Sequence, residues 1–167
     1  SPNFNDDDAI KSLANAVKRG VHVKLVTTFG FNRSTENYPG QGGDNRKGYC
    51  RLYKKALIVT KNKKEVEKFL HLRWYTRPDG KRVDDSKSVV DDEGKGRPDA
   101  MHAKYATIDD QLAIVGTANM DTQSWNHSRE INLLVDNKRV AKSWDKQLFT
   151  DVFKRSDKWE GPKSCKN

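Results

Sequence analysis

A chain of 167 residues, 34% hydrophobic and 33% charged, can bury one real core, and its apolar residues fall in periodic segments that exclude wholesale disorder. A formal net charge of +9 points to anionic partners (nucleic acid, acidic lipid surfaces, phosphorylated small molecules), or gives only a solvated basic surface. No apolar run approaches the roughly 20 residues of a membrane-crossing helix, and Cys50 and Cys165 sit outside any metal-type cluster, open to pairing or to remaining thiols.

Residues 5–19 read as a helix. Asn5 or Asp6 can cap it, aspartates crowd its first turn where the helix dipole favours them, and Ile10, Leu13, Ala14 and Val17 recur at helical spacing. Gly20 ends it, and Val21, Val23 and Leu25 alternate with His22 and Lys24 as a strand that continues into Val26. Helix, glycine, strand is the second part of a βαβ unit, so a first strand is expected before Ser1. Residues 30–48 carry Pro39-Gly40 and Gly42-Gly43 and read as a long loop of the kind that is often functional. Tyr49 to Val59 has helical spacing through Leu52, Tyr53 and Ala56. Residues 61–68 form a charged connector or second helix, with Lys61, Lys63 and Lys64 on a solvated face. Leu70, Leu72 and Trp74 alternate as a strand, and 77–99 is another polar loop with a turn at Pro78-Asp79-Gly80.

The last third is the most regular. Met101 to Thr107 alternates, Asp109-Asp110 makes a turn, and Leu112 to Val115 returns as a second strand. A short helix or loop over 121–128, a strand over Ile131 to Val135 and a helix over 137–153 follow. That helix carries Val140, Trp144, Leu148 and Phe149 or Val152. The fold class is α/β, a mixed β-sheet flanked by helices.

His102 and Lys104 are two apart on an expected strand and therefore share a face, with Met101, Ala103 and Tyr105 turned to the core. An imidazole beside an ammonium makes sense where an anion sits between them: lysine supplies charge to phosphate oxygens, histidine a nucleophile or a proton. Past the turn comes Gly116-Thr117-Ala118-Asn119. Gly116 lets backbone approach a ligand, while the Thr117 hydroxyl and Asn119 amide can donate to a phosphoryl oxygen. Glu130 stands where a carboxylate could hold the imidazole tautomer. Arg46, in the glycine-rich loop, is a candidate for phosphate or headgroup contact. Trp125 reads as core or as pocket mouth, Tyr38, Trp74 and Tyr75 as packing, and His127 as a loop residue.

His102-x-Lys104, Asp109 after four more residues, then Gly116-Thr117-x-Asn119 after six, resembles the signature of the phospholipase D superfamily. Ser1-Pro2-Asn3-Phe4, the helix after it and Lys18 to Val23 look like the element that opens each half of such enzymes, and Asn45-Arg46 ahead of a helix fits more loosely. Thr117 departs from the more frequent serine and keeps the hydroxyl. The resemblance implies the following chemistry. One histidine attacks phosphorus to form a phosphohistidine, and a second protonates the leaving alcohol, then activates water or an alcohol. Two lysines and two asparagines clamp the phosphate, Glu130 orients the histidine, Asp109 braces the turn, and neither metal nor cofactor is needed.

Only one such motif is present, since none of His22, His71 and His127 is followed by the rest of the signature. The whole chain, 1–167, is thus expected to be one catalytic half, the C-terminal portion of a longer enzyme or one member of a homodimer. Residues 119–130 look like those of lipid-acting members, so the expected partner is a phospholipid at a membrane surface. The alternatives are a metal-independent nuclease of the same superfamily and a catalytically silent module binding anionic lipid or nucleic acid. A soluble or peripheral membrane protein is expected, and only the cysteine pair hints at secretion or a periplasm.

Overall fold

The computed structural model of the chain describes residues 3–29, 38–83 and 101–165. The expectations for Ser1-Pro2 and for the loop stretches 30–37 and 84–99 lie outside the described residues.

Helix α1 (Asp7–Lys18) begins where Asp6 accepts hydrogen bonds from the backbone N–H groups of Asp8 and Ala9, and its Ile10, Ala14 and Val17 are buried. Strand β1 (Val23–Thr27) starts two residues later than the alternation suggests: the Val21 N–H is bonded to the Ala16 carbonyl, so that valine closes the helix and stays 39% exposed. Helix α2 (Asn45–Thr60) begins four residues ahead of Tyr49, because Asp44 caps it through the Lys47 N–H. Gly48, which looks like a helix breaker, is demanded by packing. A Cβ there would collide with the Phe4 carbonyl oxygen.

Residues 61–68 resolve into helix α3 (Lys63–Phe69), which leads directly into β2 (Leu70–Trp74). α2 and α3 are the crossover between two parallel strands, with Val23 opposite Leu70 and Thr27 opposite Trp74. The short strand β6 (Asp157–Lys158) adds to β2 in the antiparallel sense.

The second sheet is an antiparallel meander of β3 (Tyr105–Ile108), β4 (Leu112–Gly116) and β5 (Asn132–Asp136). Asp109 and Asp110 both adopt positive φ (53° and 55°), the twist a two-residue hairpin turn needs and one that aspartate tolerates. Helix α4 (Thr122–Asn126) is capped by Asp121. Helix α5 (Lys138–Trp144) runs through a π-turn (Asp145–Thr150) into α6 (Asp151–Arg155). The wider π-turn puts the stripe out of phase, so Leu148 is 49% exposed while Phe149 stacks on Phe153. In that turn Asp145 accepts hydrogen bonds from the hydroxyls of Thr107 (3.0 Å) and Thr150 (2.9 Å), which ties the helix to β3.

The core lies between the first sheet and α1–α3. Trp74 (1% exposed) stacks on Tyr49 with ring centroids 4.4 Å apart, and Phe4, Leu52, Leu70 and Leu72 close around them. Burial pushes the Tyr49 hydroxyl strongly upward in pKa, and it donates to the Arg73 carbonyl oxygen at 2.9 Å. Trp74 packs as expected. Tyr38, expected to pack, is 66% exposed, and Tyr75, half-buried, has Arg155 over its ring.

Cys50 and Cys165 are joined as a disulfide, fastening the end of the described chain to α2 across 115 residues of sequence. Cross-linking residues so far apart restricts the unfolded chain most. Cys165→Ser is expected to lower unfolding stability by about 2–5 kcal/mol, seen as a lower urea midpoint in samples kept free of reductant.

Candidate functional site

β4 ends at Gly116, and the chain then bends away through Thr117, Ala118 and Asn119. Residues 101–104 precede β3, where the Lys104 carbonyl oxygen accepts from the Gly116 N–H (3.3 Å) and the Met101 carbonyl oxygen from the Thr28 hydroxyl (3.4 Å). Between these stretches lies an open cleft of about 530 Å³, lined by His102, Ala103, Lys104, Gly116, Thr117 and Asn119. The structure thus brings together five residues expected in the site and adds Ala103. That alanine is exposed rather than turned to the core, because the ladder that would enforce alternation starts only at Tyr105. Tyr105 itself is half-buried. Loss of water and the charge of Asp145 push its hydroxyl up to about 12.

The Lys104 Nζ lies 3.1 Å from His102 Nδ1 and 2.9 Å from Nε2. No in-plane position is that near both nitrogens without striking Cε1, so the ammonium lies over the ring face. It also donates to the His102 carbonyl oxygen at 3.1 Å. Partial burial, then the adjacent Lys104 charge, hold the imidazole below its ordinary pKa of 6.5. Burial lowers Lys104 too, opposed by the carboxylates of Glu130 and Asp121. The pair is therefore a neutral imidazole beside a cation in a cleft, an arrangement suited to an anionic group with an attackable centre.

Asn119 is fastened by its backbone: its N–H donates to Ser124 Oγ (3.0 Å) and its carbonyl accepts from Trp125 Nε1 (2.8 Å). Its side-chain Oδ1 is buried without a hydrogen-bond partner. A half-turn of the amide would put an N–H donor in the same place, as a bound oxyanion requires. Thr117 lines the cleft, but its hydroxyl accepts from the Ile131 N–H (3.0 Å) and turns its proton to the Ile131 carbonyl oxygen (3.4 Å). The single hydroxyl proton is already used there, which makes Thr117 a clamp between the loop and β5. Gly116 is tightly enclosed. A Cβ on it would collide with Asn132 Oδ1 and the Ile131 carbonyl oxygen.

Other expected residues fall elsewhere. Glu130 is half-buried and acts on the site through its charge at Lys104. Asp109 is exposed in the hairpin turn. Arg46 does not line the cleft. It pairs with Asp44 (3.3 Å) and lies over the Phe29 ring, 5.5 Å from its centroid. His127 is exposed at the end of α4, and Trp125, 53% exposed, is not a core residue.

Two further residues contribute that were given no role of their own in the sequence. Asp121 caps α4 through the Ser124 N–H (2.7 Å) and accepts from Asn3 Nδ2 (3.0 Å), while its charge reaches Lys104. Asn45 accepts from the Phe4 N–H (2.7 Å) and donates to the Thr28 carbonyl oxygen (2.6 Å). A carboxylate or amide at a helix start is the available sequence signal, and it does not reveal such long-range partners.

Comparison with known proteins places this geometry. The family model described as "Cardiolipin synthase, PLD-like domain" matches residues 1–152. Cardiolipin synthase 2 of Staphylococcus epidermidis is 43% identical over 58 residues, 35% of this chain and 12% of its own length. Cardiolipin synthase of Clostridium perfringens is 38% identical over 52 residues, 31% of this chain and 11% of its own. These alignments span only about an eighth of the curated relatives. Among solved structures, the phospholipase D family member Nuc from Salmonella typhimurium superposes with a TM-score of 0.57 at 17% identity, over 93% of this chain and 76% of that one. NucT from Helicobacter pylori gives 0.54 at 14%, over 93% and 77%. Identities this low speak for the fold alone, a mixed α/β arrangement with small sheets flanked by helices.

Gly116→Ala is expected to force β4 and β5 apart, lowering stability by about 1–3 kcal/mol, measured by denaturant unfolding. The His102 ring, followed by NMR, is expected to titrate below 6.5 and to move upward in Lys104→Met. A folded site that resists protonation binds fewer protons than the unfolded chain. The stability from neutral His102 is present above 6.5 and lost as pH falls through the lowered folded value.

Proposed function

The chain belongs to the phospholipase D-like family, and on that premise we propose that it is a phosphodiesterase hydrolysing or transferring phospholipid headgroups through a phosphohistidine on His102. The observation that carries this reading is the Lys104 ammonium over the His102 ring in a cleft that also holds Gly116 and Asn119. An imidazole nitrogen of His102 attacks phosphorus, and the bond to the leaving alcohol breaks. Lys104 and the Asn119 amide neutralise charge on the phosphoryl oxygens as it builds. Water or a second alcohol then displaces the histidine. Glu130 and Asp121 oppose the lowering of Lys104 that burial causes. Gly116 and Thr117 shape the wall, and Asp109 keeps the turn.

His102 cannot both attack and protonate the leaving group. A second histidine–lysine pair, from another half of the same polypeptide or from a second copy, completes the reaction, so residues 1–167 make up one catalytic half. The lipid reading rests on the family description and on the two cardiolipin synthases matched above. A metal-independent nuclease is the second reading, favoured by the +9 charge, which suits a DNA backbone. The disulfide favours a compartment outside the reducing cytosol.

The test offers phospholipid vesicles and plasmid DNA in EDTA to the full-length protein and to its His102→Asn variant. Phosphatidyl hydrolysis or transfer is expected, falling by about 10²–10⁴-fold or more in the variant. DNA cleavage lost in the variant would instead establish the nuclease. Turnover of neither substrate by a folded wild type would sink both.

A further inference from the structure

Ile131 is 80% exposed, the highest value among the exposed large apolar side chains described, and Trp125 is 53% exposed. Both are tied by hydrogen bonds to residues that line the His102 cleft. Trp125 Nε1 donates to the Asn119 carbonyl oxygen (2.8 Å), and the Ile131 backbone N–H donates to Thr117 Oγ1 (3.0 Å). Burial inside this chain explains neither, yet both are held in place at the cleft rim. Within β5, Leu133 and Leu134 are 58% and 57% exposed.

The chain between them has a one-sided charge. From Asn126 to Arg129 every residue is exposed, and Arg129 brings a cation outward. The carboxylate of the stretch, Glu130, is half-buried, with its charge acting inward on Lys104. The outward strip is therefore apolar plus cationic. A tryptophan with its N–H satisfied and its ring free suits the depth at which lipid headgroups meet acyl chains. A cation beside it suits anionic headgroups.

We propose that Trp125 and Ile131 are interfacial anchors that seat the rim of the His102 cleft in the surface of an anionic bilayer. The proposal rests on the phospholipid reading for its purpose. Seating the rim brings the cleft to phosphodiester depth, so a substrate need not leave the membrane.

The test uses the full-length protein, vesicles of phosphatidylglycerol and phosphatidylcholine, and the variants Ile131→Ser, Trp125→Gln and their combination. Ile131→Ser keeps the backbone clamp on Thr117, and the glutamine amide can still donate to the Asn119 carbonyl. Co-sedimentation is expected to show vesicle partitioning reduced by about 100-fold in the combined variant, while Ile131→Ser still turns over a short-chain phosphatidylglycerol below its micelle concentration within about twofold of wild type. Partitioning equal to wild type would overturn the proposal. So would a changed molecular mass with unchanged partitioning, which would assign the strip to a second copy or half. Should the combined variant fail to fold, brominated-acyl lipids provide a second measurement. Wild-type fluorescence must then be quenched by more than that of Trp125→Phe, and equal quenching would also overturn it. Binding that needs the rim in a protein without phospholipid turnover would leave the anchors standing and remove the phospholipid reading.

Discussion

Buried amides and carboxylates hold the two sheets to each other. The segment Asn3 to Asp6 lies against Met120 to Thr122: the N–H groups of Asn5 and Asp6 both reach the Met120 carbonyl, Asn3 donates to Asp121, and Asn5 Oδ1 accepts from the Thr122 N–H. Asn45 binds the same segment to the end of β1. Unpaired, such groups would be costly to bury, so each fixes its neighbours in one arrangement. The loop carrying Gly116 and Asn119 hangs from this seam. Without it the second sheet would have little to register it against the core.

The seam also explains the order of elements. The core of Trp74, Tyr49 and Phe4 belongs to the first sheet and its helices, whereas the cleft belongs to the second sheet. Stability and chemistry are thus separated in the chain and joined by polar contacts. Phe4 takes part in both, buried in the core and bridged to Met120. The divided layout lets the cleft stay open and polar while the core remains dry.

Much of this is legible in sequence because it depends on local rules. The stripe Ile10, Ala14, Val17, the alternation Leu70, Leu72, Trp74 and the Asp109-Asp110 turn each follow from periodicity or turn chemistry, and each is where it was expected. The cleft is legible for a different reason: a hairpin brings His102 and Lys104 beside Gly116 whenever the turn forms. What could not be read depends on distant partners. Gly48 tolerates a helix interior because of Phe4, Trp125 faces outward because its N–H finds Asn119, and Thr117 is drawn to Ile131. The π-turn that swings Leu148 out leaves no mark in a helical stripe.

The bridge from Cys50 to Cys165 closes a covalent ring that takes in β2, β6, the whole second sheet and the cleft. A single peptide-bond cut anywhere between those cysteines leaves one molecule. A nicked chain would keep its mass until reductant was added and would then separate into two pieces. The ring closes only once residue 165 has been synthesised.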